Sequence, residues 1–238
     1  MSKKAIVLLS GGLDSTTTLY YAKSKRYKCY ALIFDYGQRH KKEIVQGVKV
    51  AKLAKVPYQI IKIKLPWKGS SLLDTHCALP VTRSLKEIGH GIPSTYVPAR
   101  NTIFLSFALS YAEAIGAKAI FIGANAVDFS GYPDCRPDYY RAFQQVMKKG
   151  VKASSRACRQ AGIQVKTPLI KMTKAQIIRL GLKLKAPLDI TWSCYKGGRQ
   201  PCGVCDSCQL REKGFSSVNP AKPSSANAKR PPSPRGRR

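Results

Sequence analysis

Short apolar runs alternate along this chain with stretches of helical period. Ala5–Leu9, Cys29–Phe34, Tyr58–Ile63 and Ala119–Gly123 read as buried strands, with a shorter one at Gln164–Val165. Helical spacing covers 14–25, 40–55, 101–115, 138–149 and 173–181. Strands that alternate with helices predict an α/β fold, a Rossmann-like open parallel sheet with helices on both faces, over residues 1–185. In such sheets ligands bind beyond the carboxyl ends of the strands, where the strand order reverses. The loops predicted at those ends hold most of the unusual residues: Ser10–Ser15, Asp35–His40 and Gly123–Arg136. A further cluster, Pro98–Asn101, opens the helix at 101–115.

After the last helical stretch the composition changes twice. Residues 186–215 carry closely spaced Cys, Gly and Pro and are expected to form a small C-terminal zinc-binding knuckle. Residues 216–238 contain Ser, Pro, Ala and basic residues, no acid and almost no large apolar side chain. Such a segment cannot bury enough surface to offset its ordering entropy, so a disordered basic tail is expected.

The whole chain has 238 residues, 44% of them hydrophobic, enough for one α/β domain with a buried core and a small appendage. No apolar run approaches the ~20 residues that a membrane span needs. A cleaved leader would remove the strand that precedes Ser10, so the expectation is a cytoplasmic protein without a membrane partner. The formal charge of +30 comes from 42 Lys and Arg against 12 Asp and Glu. A field of that sign attracts polyanions, so nucleic acid could be met through the tail. The basic residues are nevertheless spread along the chain, without one patch interleaved with aromatics, which favours a general compositional bias.

Ser10-Gly-Gly-Leu-Asp-Ser15 joins the first strand to the first helix. Bare backbone N–H groups at a helix N-terminus form an anion site, and two glycines let the backbone approach a ligand closely. Ser10 and Ser15 add hydroxyls. A Walker A loop would carry a lysine here, but Leu13-Asp14-Ser15 stands in its place, so phosphate charge must be met from elsewhere. An ordinary strand-to-helix turn is the competing reading.

Eight cysteines occur, and four of them, Cys194, Cys202, Cys205 and Cys208, crowd together with two-residue gaps between the last three. In a reducing compartment such spacing points to a metal. Zinc in a closed four-sulfur site leads, with an iron–sulfur cluster as the alternative. Cys29 reads as core; Cys77 and Cys158 have no supporting context. Cys135 lies between Asp134 and Arg136 in a loop expected to face a ligand, where packing, a substrate contact and nucleophilic chemistry are all open.

The Ser10–Ser15 segment resembles the ATP pyrophosphatase loop of enzymes that adenylate an oxygen and release pyrophosphate. Five further segments follow in order: Asp35-Tyr-Gly-Gln-Arg-His40, Thr95-Tyr-Val-Pro-Ala-Arg-Asn101, Gly123-Ala-Asn-Ala-Val-Asp128, Ser130-Gly-Tyr-Pro-Asp-Cys-Arg136, and Thr191-Trp-Ser-Cys-Tyr195 continuing to Cys208. Together they resemble the 7-cyano-7-deazaguanine synthase family of queuosine biosynthesis over about residues 5–215. The resemblance implies ATP-dependent conversion of 7-carboxy-7-deazaguanine and ammonium to a nitrile. Its route has two adenylations, first of the carboxylate and then of the intermediate amide. It further implies Mg²⁺ with ATP, one zinc per chain, and a homodimer as a plausible assembly. The chain has no room for a glutaminase domain, so free ammonium is the expected nitrogen source.

On that resemblance Ser10, Gly11, Gly12, Asp14 and Ser15 would hold ATP, with Asp14 binding Mg²⁺ or capping the helix. Arg39 and Arg100 would supply the positive charge that the loop lacks. Asp128 or Asp134, with Asp134 preferred, would accept the N–H and amino group of the purine edge, or else cap a turn. Tyr132 or Phe129 would stack on the ring, and His40 would relay protons from ammonium. A tRNA thiolase with the same adenylation chemistry is the rival enzyme. A zinc nucleic-acid-binding protein without catalysis is the rival from another class.

Overall fold

The computed structural model describes residues 2–81, 88, 91–127, 131–152 and 162–218. Asp128, Phe129, Cys158 and most of the predicted tail lie outside them. Five strands form one sheet: β1 (Lys4–Leu8), β2 (Lys28–Asp35), β3 (Tyr58–Lys62), β4 (Ala119–Phe121) and β5 (Gln164–Lys166). Their order is β3-β2-β1-β4-β5, and every pair is parallel, with Ile6 opposite both Tyr30 and Ile120. The helices are α1 (Leu13–Ser24), α2 (Lys42–Leu53), α3 (Arg100–Ile115), α4 (Pro137–Gly150), α5 (Lys174–Lys183) and α6 (Asp206–Ser216).

The period of two along β1 sorts the core into two layers. Ala5, Val7 and Leu9 pack with Leu19, Ala22, Val50 and Ala51 of α1 and α2. Ile6 and Leu8 pack with Leu105, Ala108, Phe143 and Met147 of α3 and α4. Both faces are thus covered, as near-continuous apolar strands require. Successive strands step one way from β1 to β3 and the other way from β1 to β4 and β5. The loops after β1 and β4 therefore part and leave a crevice at the carboxyl edge of the sheet.

A helix that the spacing did not predict, α6, completes the fold. It packs on α5, where Gly214 admits Lys174 and Ile178: a Cβ there would lie 2.5 Å from Lys174 Cγ. Phe215 and Val218 join the cluster of Leu13, Leu169, Ile177 and Ile178. The cysteine-rich segment is thereby held against the end of the sheet that carries the crevice.

Candidate active site

The crevice encloses a cavity of ≈ 270 Å³. Its floor is the Ser10–Ser15 loop. Ser10 Oγ lies 3.0 Å from Ser15 Oγ, Gly12 N–H donates to Ser10 Oγ, and Ser15 Oγ donates to the Gly12 carbonyl. The hydroxyls thus brace the turn. Gly11 has φ +81°, and a Cβ there would lie 2.4 Å from both the Glu43 carbonyl oxygen and the Gly47 nitrogen of α2. Only glycine lets the loop nest against α2 in this way.

Asp14, in the first turn of α1, accepts hydrogen bonds at both carboxylate oxygens from Lys174 Nζ, each 2.8 Å long. Lys174 opens α5 directly after Thr173, whose side chain and that of Gln176 form a reciprocal capping box. It lines the cleft beside the loop. A cation from 160 residues along the chain therefore stands at the edge of a loop that has no lysine of its own.

Arg100 enters from the first turn of α3. The residue before it, Ala99, is in the left-handed region at φ +53°, and its N–H donates to Tyr96 Oη at 3.0 Å. Arg100 Nη1 donates to Tyr36 Oη at 3.3 Å. Burial works against its charge, but Tyr36, Tyr132 and Asp134 outweigh burial and raise its pKa. Across the same cleft, burial pushes the Glu43 carboxyl up to about 7, with Arg100 pulling the other way.

Several predicted site residues have other work. Arg39 lines the cleft, yet its guanidinium donates to the carbonyls of Ser71, Cys77 and Thr75 at 3.0–3.1 Å. It fastens the loop at 70–77 rather than presenting an unengaged cation. His40 is wedged against Gly197, and its ring hydrogen-bonds the backbone of Cys194. Its Nδ1 is buried without a partner, and burial lowers its pKa. Tyr132 lines the cleft with its hydroxyl 2.6 Å from Thr95 Oγ1.

Asp134, preferred above for the purine edge, is not among the cleft-lining residues. Its Oδ2 accepts the Asn101 N–H at 3.1 Å, and Asn101 Nδ2 donates back to the Asp134 carbonyl. That N–H is one of the orphan donors at the start of α3, so the carboxylate acts as a remote cap. Asp134→Ala is expected to cost about 1–2 kcal/mol of stability and lower Tm by about 3–8 °C. Below the melting range it should leave purine KM within about threefold, a result that paired thermal melts and steady-state kinetics would check. A large rise in purine KM with an unchanged Tm would restore the ligand role.

Cys135 is buried, and burial together with Asp134 pushes its thiol up to about 12. That favours a protonated thiol at neutral pH, which counts against the nucleophilic reading of Cys135.

The wall opposite α3 is the segment Trp192–Tyr195. Trp192 N–H donates to the Gly11 carbonyl at 3.0 Å, tying this segment to the phosphate loop. Its backbone runs directly into Cys194. The Sγ atoms of Cys194, Cys202, Cys205 and Cys208 all lie within 4.8 Å of one another. Cys202 N–H points at Cys194 Sγ and Cys205 N–H at Cys202 Sγ. Hydrogen bonds from the Cys205 and Cys208 thiols pull Cys194 far below the usual thiol range. Four convergent sulfurs with backbone donors suit a four-coordinate metal.

A family model described as "Queuosine biosynthesis protein QueC" matches residues 4–219. The chain belongs to the QueC family. Curated relatives called 7-cyano-7-deazaguanine synthase agree with the match. That of Cyanothece sp. is 54% identical over 92% of this chain and 98% of its own length. That of Trichodesmium erythraeum is 49% identical over 92% and 99%. The one from Thermoplasma volcanium is 49% identical over 94% and 90%. In this QueC-family chain the Ser10–Ser15 loop, Arg100 and Tyr132 line one cleft, together with Lys174, Glu43 and Arg211, which no sequence motif singled out.

Proposed function

We propose that this QueC-family chain converts 7-carboxy-7-deazaguanine, ammonium and ATP to 7-cyano-7-deazaguanine. The loop N–H groups and Lys174 would hold the departing pyrophosphate at the N-terminus of α1. Arg100 would meet negative charge on the substrate carboxylate or the α-phosphate. The carboxylate would attack the α-phosphate, and ammonia would then displace AMP to give the amide. A second adenylation would turn the amide oxygen into a leaving group. Mg²⁺ would accompany ATP, and Asp14, whose oxygens each accept one bond from Lys174 and keep a further lone pair, would be its protein ligand. One zinc on the four cysteines would be structural. No helix among the described residues is long and apolar enough to cross a membrane. A cytoplasmic enzyme, with reduced thiols available for zinc, fits this chemistry.

What carries the reading is the convergence of Ser10–Ser15, Lys174 and Arg100 on one cleft in a chain of this family. Incubation with ATP, Mg²⁺, ammonium and 7-carboxy-7-deazaguanine, followed by mass spectrometry, is expected to yield nitrile with two AMP formed per product. ATP hydrolysis without amide or nitrile would overturn the reading.

A further inference from the structure

Two carboxylates line the cleft among the described residues, those of Asp14 and Glu43. Asp14 is taken up by Lys174. The Glu43 carboxylate has no hydrogen-bond or ion-pair partner among the described residues, and Glu43 lines the cleft from the first turn of α2, where its backbone carbonyl lies against Gly11 of the Ser10–Ser15 loop. Wherever pyrophosphate leaves from this loop, the oxygen that attacks the α-phosphate lies close by, and so does the carbon–nitrogen group attached to it.

The second half of the proposed reaction needs a base there. Attack of the amide oxygen on ATP forms a C–O–P bond, breaks the α–β phosphoanhydride and leaves the nitrogen as an iminium NH₂⁺. One proton must leave this nitrogen to give a neutral imidate. The C–O bond then breaks with its electron pair going to AMP, while the nitrogen lone pair completes the triple bond. The second proton goes from the nitrilium to water. Carbon keeps its oxidation level, so no redox partner enters.

We propose that Glu43 is the catalytic base that takes the first of these protons from the substrate nitrogen. The inference rests on the nitrile-forming reading above. Other groups around it are less suited. His40 has one ring nitrogen sealed off and its ring bonded to the Cys194 backbone. The phenols of Tyr36, Tyr132 and Tyr195 are raised by burial and stay protonated. Arg39 and Arg211 are cations already donating to carbonyls. Arg100 faces Glu43 and favours its ionised form, while burial opposes it; the balance near 7 suits a base that must both take and release a proton at neutral pH.

The test supplies the amide and ATP, which isolates the second half from ammonia. Wild-type nitrile formation should rise with pH through about 7 as Glu43 ionises. Glu43→Gln keeps the shape but cannot accept the proton, so its rate should fall about 100-fold or more and lose that rising limb. Its affinity for the amide and its melting temperature should match wild type, and Glu43→Asp should recover part of the rate with the limb restored. A Glu43→Gln rate within threefold of wild type overturns the role. So does a raised amide KM with an unchanged pH profile, which would make Glu43 a purine contact. A wild-type chain that makes no nitrile from the amide overturns the nitrile-forming reading itself, and the base role falls with it.

Discussion

Lys174→Met is expected to lower kcat/KM for ATP-dependent turnover by about 100- to 1,000-fold, the usual effect of removing one fixed donor from developing charge. The phosphate loop has no lysine of its own, and Nζ of Lys174 stands 2.8 Å from both oxygens of Asp14 at its edge. That geometry admits a purely structural ion pair, which the variant would also break. Removing Lys174 leaves a largely buried carboxylate without its partner, and about 1–3 kcal/mol of stability should go with it. Asp14→Asn combined with Lys174→Met isolates the stability effect, and Asp14→Asn alone, which keeps the lysine, shows how much turnover the carboxylate itself supplies. The double variant should melt close to wild type, because no unpaired charge remains, yet stay inactive. Turnover that returns together with stability would reduce Lys174 to a structural partner. Thermal melts and single-turnover pyrophosphate release on wild type and the three variants decide between these outcomes.

That lysine illustrates what could be read along the chain and what could not. The cover on both faces of the sheet was legible because an unbroken apolar run such as Ala5–Leu9 is a local property of one strand. The thiol cluster was legible for the same reason, its spacing being short. Lys174 meets Asp14 only through the packing of α5 on α1, and no local pattern joins residues 160 apart. A hint was present nonetheless: the Thr173–Gln176 capping box fixes a helix start, and a lysine in the next position opposes the helix dipole unless an anion faces it. Glu43 was hidden by the opposite circumstance, since a glutamate in a helix's first turn fits the dipole and invites no further question. Asp134 was placed in the right neighbourhood, but its partner, the Asn101 N–H, is a backbone group that side-chain motifs do not reveal. Arg39 likewise spends its donors on carbonyls of residues 71–77, a stretch with neither helical nor strand period.

The thiol cluster reaches the phosphate loop through a short mechanical chain. Arg211, on α6 three residues after Cys208, is 4% exposed. Its Nη1 donates to Thr191 Oγ1 at 2.7 Å and its Nη2 to the Leu188 carbonyl at 2.9 Å. These bonds clamp the segment that carries Trp192, whose N–H holds the Gly11 carbonyl, and Cys194. A metal shared by Cys194 and Cys208 would close the clamp from its other end. Without the metal, the four sulfurs would lose the ligand that draws them together, and the segment would rely on the Arg211 bonds, the N–H to Sγ hydrogen bonds and packing. Stripping the proposed zinc with a chelator is therefore expected to lower Tm by about 10 °C or more and to weaken ATP binding by at least about tenfold. Arg211→Lys in the metal-loaded protein should show a smaller Tm loss in the same direction, because a lysine cannot span Thr191 and Leu188 together. Differential scanning calorimetry and ATP titration, with metal content measured on each sample, provide the check. If a verified metal-free chain melts within about 2 °C of the loaded form and binds ATP equally well, the cluster is mechanically independent of the loop, and the Trp192 contact holds Gly11 unaided.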